Sequence, residues 1–392
     1  MLKTKSSATW QFFNDIDLIC FSHLRWNFVF QRPQHLLSRF ARYTRVFFIE
    51  EPIYHDAPAK LHIEQSEKNV WVVVPYLKKD LAAKQVIVHQ KKIVNTLIAE
   101  KDIKQFVSWY YTPMALPFSN HLSPVVTVYD CMDELSAFKF APAELKILEK
   151  ELMKKADLVF TGGYSIYESK KNDHKNIFPF PSSIDKEHFA QARNILNDPL
   201  DQKNIPHPRF GFYGVIDERL DLELIGEVAK AKPDWQFIII GPVVKIDPQT
   251  LPRLSNIHYL GGKNYKELPH YLAGWDVAMI PFAMNESTRF ISPTKTPEYL
   301  AAGKPVISAP IRDVIAPYGE NKLVRIAANA KQFIRHAETL LKRKNNKRWL
   351  TNVDAFLAGI SWDKTWSQMA KHIEHKLKTS TQKTKEKEKV YV

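Results

Sequence analysis

Short apolar runs of strand length alternate with amphipathic helical stretches twice along this chain, and a proline-rich interval divides the two series. That pattern permits few folds, because strands separated by helices pair in parallel and need cover on both faces of the sheet. In the first half, residues 17–22, 45–49, 70–74, 105–110, 125–129 and 157–160 read as strands. Arg32-Pro33 opens one helical stretch, since proline suits a first turn. Residues 84–100 and 142–155 read as further helices, the latter with Leu145, Leu148 and Leu152 on one stripe. Between residues 179 and 208 the periodicity lapses among five prolines. It resumes with strands at 210–213, 235–240, 257–260, 276–280 and 306–308 and a helix at 220–230. The predicted class is α/β, with two tandem Rossmann-like domains over 1–185 and 209–360 joined by a linker at 186–208. A last amphipathic helix spans 361–378, with Trp362, Trp366, Met369 and Ile373 on one face, and 379–392 reads as a mobile lysine-rich tail.

At 392 residues the chain suits two domains, and 45% hydrophobic content supplies a packed core for each. Two cysteines, Cys20 and Cys131, make no disulfide framework and fit a reducing cytoplasm. Residues 1–10 lack the apolar stretch of a signal peptide, and the longest apolar runs are strand-sized, so no span is expected. The net charge of +14 draws nucleic acid, anionic lipid or anionic substrates. Lysines of the 376–389 segment alternate with Ser, Thr and Glu and lack interleaved arginines and aromatics, which argues against a nucleic-acid arm. An anionic membrane surface remains an expected partner.

No G-x-G-x-x-G or Walker loop occurs, and the Cys and His spacings suggest no metal cluster, which argues against dehydrogenases and P-loop kinases. Ligands of open α/β sheets sit at the carboxyl ends of strands. There the run Ser292-Pro293-Thr294-Lys295-Thr296-Pro297-Glu298 precedes Ala301-Ala302-Gly303 and a β-branched strand. A helix start with a lysine suits a diphosphate, and Glu298, one turn on, has two oxygens for the hydroxyls of a ribose. The plainer alternative is a solvated Lys–Glu pair on an ordinary helix. After the strand at 210–213, Gly214 allows close backbone approach and Arg219 offers a permanent charge for phosphates. Its alternative is a surface pair with Asp217 or Glu218.

The 295–305 block resembles the nucleotide-sugar site of retaining glycosyltransferases with the GT-B fold, of the large family-four type. Ser22-His23-Leu24-Arg25-Trp26 with Gln31-Arg32-Pro33-Gln34-His35 resembles bacterial members of the cell-surface polysaccharide, teichuronic-acid type. The resemblance implies a GT-B architecture whose last helix crosses back to the N-terminal domain. It implies a nucleoside-diphosphate sugar, such as a UDP-sugar, in the C-terminal domain, and a saccharide or lipid-linked acceptor in the N-terminal one. Arg219, Lys295 and Glu286 are then the catalytic candidates. Gly214, Thr288, Ser292, Thr294 and Glu298 are the donor contacts, and His23, Arg25, Asp130 and Asp133 the acceptor side. Glu50-Glu51, closing the second strand, offers further acceptor contacts. The reaction implied is retaining transfer without metal or cofactor, at the cytoplasmic face of a membrane. Family members place an acid eight residues before Glu298, where this chain has Phe290, so Glu286 is the nearest substitute. Two other readings stay open: a sugar-nucleotide epimerase on the same fold, and a non-catalytic nucleotide-sugar-binding protein of an envelope assembly.

Overall fold

The computed structural model describes residues 10–342 and 346–390. Its first sheet comprises β1 (Asp17–Phe21), β2 (Val46–Ile49), β3 (Ile53–His55), β4 (Lys60–Glu67), β5 (Val70–Lys78), β6 (Phe106–Tyr110), β7 (Val126–Cys131), β8 (Leu158–Thr161) and β9 (Ile177–Pro179). The order is β3-β5-β2-β1-β6-β7-β8-β9, with β4 added antiparallel to β5. Every residue of β1, β2, β6 and β7 is buried, as strands covered on both faces require. Alternate residues feed two cores. Leu18, Cys20, Phe48 and Trp109 pack toward helix Arg32–Phe40, while Ile19, Phe21, Phe47 and Tyr110 face the other way. The sequence pattern missed β4, a polar edge strand with only alternate residues half-buried.

The second sheet comprises β10 (Arg209–Tyr213), β11 (Gln236–Ile240), β12 (Ile257–Tyr259), β13 (Val277–Ile280), β14 (Val306–Ser308) and β15 (Val324–Ile326), all parallel, in the order β12-β11-β10-β13-β14-β15. Strand order reverses between β10 and β13 here, and between β1 and β6 in the first sheet. Those two switch points are where open α/β sheets leave a crevice for ligands.

The 186–208 segment is more than a linker. It forms helix Lys186–Ala190, whose Phe189 is wholly buried in the C-terminal core, and Ile205 joins the same core. Arg193 ties it to Asp354 by two hydrogen bonds of 2.9 Å. The last helix runs Trp362–Val390, across the stretch read as a tail. Lys, Glu and Gln favour helix strongly enough to continue it. Trp362, Trp366, Met369 and Ile373 are buried among the N-terminal residues Trp10, Leu36 and Phe40. Among the described residues no helix is long and apolar enough to cross a membrane.

The two domains meet along a polar seam. The Ser182 hydroxyl donates to the Ser292 carbonyl, and the Ser165 N–H donates to Asp313 Oδ1 at 3.0 Å. Gly163 belongs to this seam, because a β-carbon there would lie 2.2 Å from Asp313 Oδ2 and 3.0 Å from Ser292 Cβ.

Candidate active site

β10 ends at Tyr213-Gly214 beside the switch point, and helix Lys295–Ala301 begins over it. Gly214 has φ +145, which L side chains rarely adopt, and a β-carbon there would be 2.4 Å from Lys295 Cε. The missing side chain is therefore the space the lysine occupies. Its ammonium lies 5.7 Å from the centre of the Phe212 ring and 5.8 Å from that of Phe282. Burial, then the Arg219 guanidinium, pushes Lys295 down to about 8, against the pull of Glu298, Asp217 and Asp133.

Glu298 is 6% exposed, on the same helix. The Tyr213 hydroxyl donates to its Oε2. Burial pushes the carboxyl up to about 7, while Tyr213 and Lys295 hold it down. The solvated Lys–Glu pair is thus not what the fold builds, since Glu298 is inside. Tyr213 escaped the sequence reading. Its only signal was its place at the end of an apolar strand, immediately before Gly214.

Arg219 is half-buried, and its Nε and Nη2 are held by Asp217 at 2.7–3.1 Å. Its guanidinium also lies 5.5 Å from the centre of the Phe138 ring of the N-terminal domain. The pairing with Asp217 named as its alternative is present. It fixes the arginine without removing it from the cleft. Asp133, half-buried on the N-terminal side, is pushed up by burial and pulled down by Arg219, Arg32 and Lys295. Lys295, Arg219, Glu298 and Asp133 therefore act on one another electrostatically across both domains, with Gly214 making room for the lysine.

Other expected residues stand elsewhere. Thr288 is wholly buried, donates to the Ala283 carbonyl and accepts from the Asn285 N–H at 3.0 Å, so its hydroxyl closes the loop after β13. Ser292 faces Ser182 in the seam. Thr294 sits at the N-cap of helix Lys295–Ala301 without a side-chain cap bond. Glu286 is exposed and lines a cleft of about 640 Å³ with Arg289, Lys150 and Lys154. Phe290, where an acid was expected, packs against the N-terminal core.

On the N-terminal side, Asp130 is not open to a ligand. It is fully buried in a fork with Arg32, at 2.8–3.2 Å, whose remaining amino group donates to the Phe180 carbonyl at 2.7 Å. A carboxylate so deep in the sheet needs a paired cation. Arg25 binds Glu50 at 2.8 Å and the Glu51 carbonyl at 2.6 Å, which pins the loop after β1 to the end of β2. His23 is half-buried, its Nδ1 enclosed and unpaired. Burial outweighs a hydrogen bond with the Tyr111 backbone and, with the Lys245 ammonium, takes the imidazole down to about 4, so it is neutral at pH 7.

Two Rossmann-like domains, with a lysine, an arginine and a buried glutamate at the C-terminal switch point, define the class as GT-B. Residues 208–343 match the family model described as glycosyl transferases group 1. The chain is 29% identical over 221 residues to TuaH of Bacillus subtilis (strain 168), which its name assigns to teichuronic acid biosynthesis as a glycosyltransferase. That match covers 51% of this chain and 54% of TuaH, about half the length of each. Among solved structures, sucrose-phosphate synthase from Thermosynechococcus elongatus aligns with a TM-score of 0.69 at 13% identity, covering 92% of this chain and 98% of that one. Anabaena HepE in complex with UDP and glucose gives 0.65 at 14% identity, covering 92% and 99%. At such identities these likenesses speak for the fold.

Proposed function

We propose that this chain transfers a sugar from a nucleoside-diphosphate sugar to a hydroxyl of a saccharide or lipid-linked acceptor. The observation that carries this reading is the seating of Lys295 against Gly214, one helical turn from a buried Glu298 held by Tyr213. Glu298 accepts the ribose hydroxyls, Lys295 and Arg219 meet the diphosphate, and Gly214 lets the phosphates reach the backbone. UDP is the favoured nucleotide, since HepE is a structural neighbour that holds it.

On this reading the transfer proceeds with retention. The bond from the anomeric carbon to the diphosphate oxygen breaks as the acceptor oxygen bonds to that carbon on the same face. The acceptor proton passes to the leaving phosphate. Negative charge grows on the diphosphate, where Lys295 and Arg219 are already placed, so its stabilisation needs no reorganisation. These two cations supply the positive counter-charge without a metal or a further cofactor. The acceptor enters from the N-terminal domain beside His23 and Asp133, at the cytoplasmic face of a membrane whose anionic surface suits the +14 charge.

The packing of Phe290 onto the N-terminal core favours one second reading, a protein that binds the nucleotide sugar without turning it over. A thermal-shift panel of UDP, GDP, ADP and dTDP, with and without magnesium, tests the first step. A shift for one diphosphate without metal supports the donor site, and no shift with any of them removes it. Release of that diphosphate from its sugar conjugate in the presence of acceptor then separates transfer from binding alone.

A further inference from the structure

A cavity of about 280 Å³ lies at the amino ends of β14 and β15, away from the carboxyl ends where the donor site sits. Val306, Leu323, Leu340 and Leu350 give it apolar sides. Trp349 closes one wall, its Nε1 donating to the Leu323 carbonyl at 3.1 Å, so the indole N–H is engaged and the ring offers apolar surface. Three cations, Lys322, Arg325 and Lys347, line the same cavity. Among the described residues none of the three has an ion pair or a side-chain hydrogen bond, and no acid lines the cavity. The Oδ1 of Asn346, also in the wall, accepts from the Trp349 N–H at 3.0 Å, which leaves its amide N–H groups free. The free polar side-chain groups there are thus all donors, and three of them carry a full charge.

Like charges gathered beside apolar surface repel one another until an anion joins them. A bare inorganic anion would leave the apolar sides wet, and a neutral hydrocarbon would leave the cations unanswered. A phosphate or carboxylate on a compact apolar body satisfies both. The layout suits such a molecule, since Lys322 and Lys347 are exposed at the rim while Val306 and Leu323 are buried. A cavity of about 150 Å³ holds a benzene ring, so this larger one has room for a ring and its anionic head. We infer that this cavity is a second ligand site for a small amphipathic anion, an aryl or short branched alkyl phosphate or carboxylate. It shares one helix with the donor site from the opposite end: Lys295 opens that helix, and Gly303, just past its last residue, lines the cavity. The inference goes beyond the transferase reading and does not depend on it.

The test is calorimetric binding of phenyl phosphate, inorganic phosphate and benzyl alcohol to the full chain. Phenyl phosphate should bind at least about tenfold tighter than either, because it alone uses both the apolar sides and the cations. Leu340→Trp fills the cavity. Lys347→Glu reverses a charge at the exposed first position of helix Lys347–Leu357, where an acid suits the helix and the fold should be kept. Each should weaken phenyl phosphate at least about tenfold, while Lys295→Ala should bind it as wild type does. Inorganic phosphate or benzyl alcohol binding as tightly as phenyl phosphate overturns the inference, and so does no binding of phenyl phosphate at millimolar concentration. Wild-type affinity in both cavity variants overturns it too. A loss in Lys295→Ala alone does the same, because the anion then sits in the donor site. Phosphatidylglycerol vesicles should not displace phenyl phosphate, since a lipid would have to draw its tails out of the bilayer, and displacement would overturn the assignment to a small ligand.

Discussion

Lys295 occupies the space that a side chain at Gly214 would need, with its Cε 2.4 Å from the position of a β-carbon there. The backbone just after β10 and the first residue of helix Lys295–Ala301 thus depend on each other. Gly214→Ala should displace the lysine and also strain a φ of +145, at about 1–3 kcal/mol. Diphosphate affinity is expected to fall at least about tenfold while the far-ultraviolet circular dichroism is unchanged, a difference of about 1.4 kcal/mol. Wild-type affinity in this variant would detach Gly214 from the site.

Diphosphate binding should peak in a narrow pH window. Glu298 accepts ribose hydroxyls when ionised, above about 7 in the free protein. Lys295 carries its charge below about 8. Acidification from neutrality protonates the carboxylate and alkalinisation discharges the lysine, so affinity falls about tenfold per pH unit on either side. Titrations from about pH 5.5 to 9.5 check this. Glu298→Gln should flatten the acid limb and, with the carboxylate's pull on Lys295 gone, move the alkaline limb to lower pH; an acid limb retained in that variant would assign it to another group.

Much of this was legible in the amino-acid sequence. Most of the parallel strands read correctly because they are apolar on both faces, whereas the polar β4 and the short β3, β9 and β15 passed unread. Lys295, Glu298, Gly214 and Arg219 lie at strand ends or a helix start, where local rules speak. What sequence could not show is which long-range partner a charged residue takes. Asp130 stands at a strand's carboxyl end like a ligand-binding acid, yet Arg32, nearly a hundred residues earlier, claims both of its oxygens. Thr288 looks like a phosphate contact until the Ala283 carbonyl takes its hydroxyl.

That fork carries its own expectation. Asp130→Ala leaves the Arg32 guanidinium buried and unpaired, and should destabilise the protein by about 3–5 kcal/mol. Urea unfolding followed by tryptophan fluorescence measures the loss. Replacing both residues, Arg32→Met with Asp130→Leu, should recover most of it, because the uncompensated charge is then gone. Loss of acceptor KM with stability unchanged would return Asp130 to the acceptor site.

The most direct measurement is calorimetric binding of the diphosphate selected by the nucleotide panel to wild type and to Glu298→Ala at about pH 7.5. A charge-assisted hydrogen bond to a ribose hydroxyl is worth about 1.5–3 kcal/mol, so affinity should drop roughly 10- to 150-fold. The same variant should bind inorganic pyrophosphate as wild type does, because that ligand has no ribose. Equal affinity for the nucleoside diphosphate in both proteins would contradict the central claim that Glu298 and Lys295 form a nucleotide-sugar site.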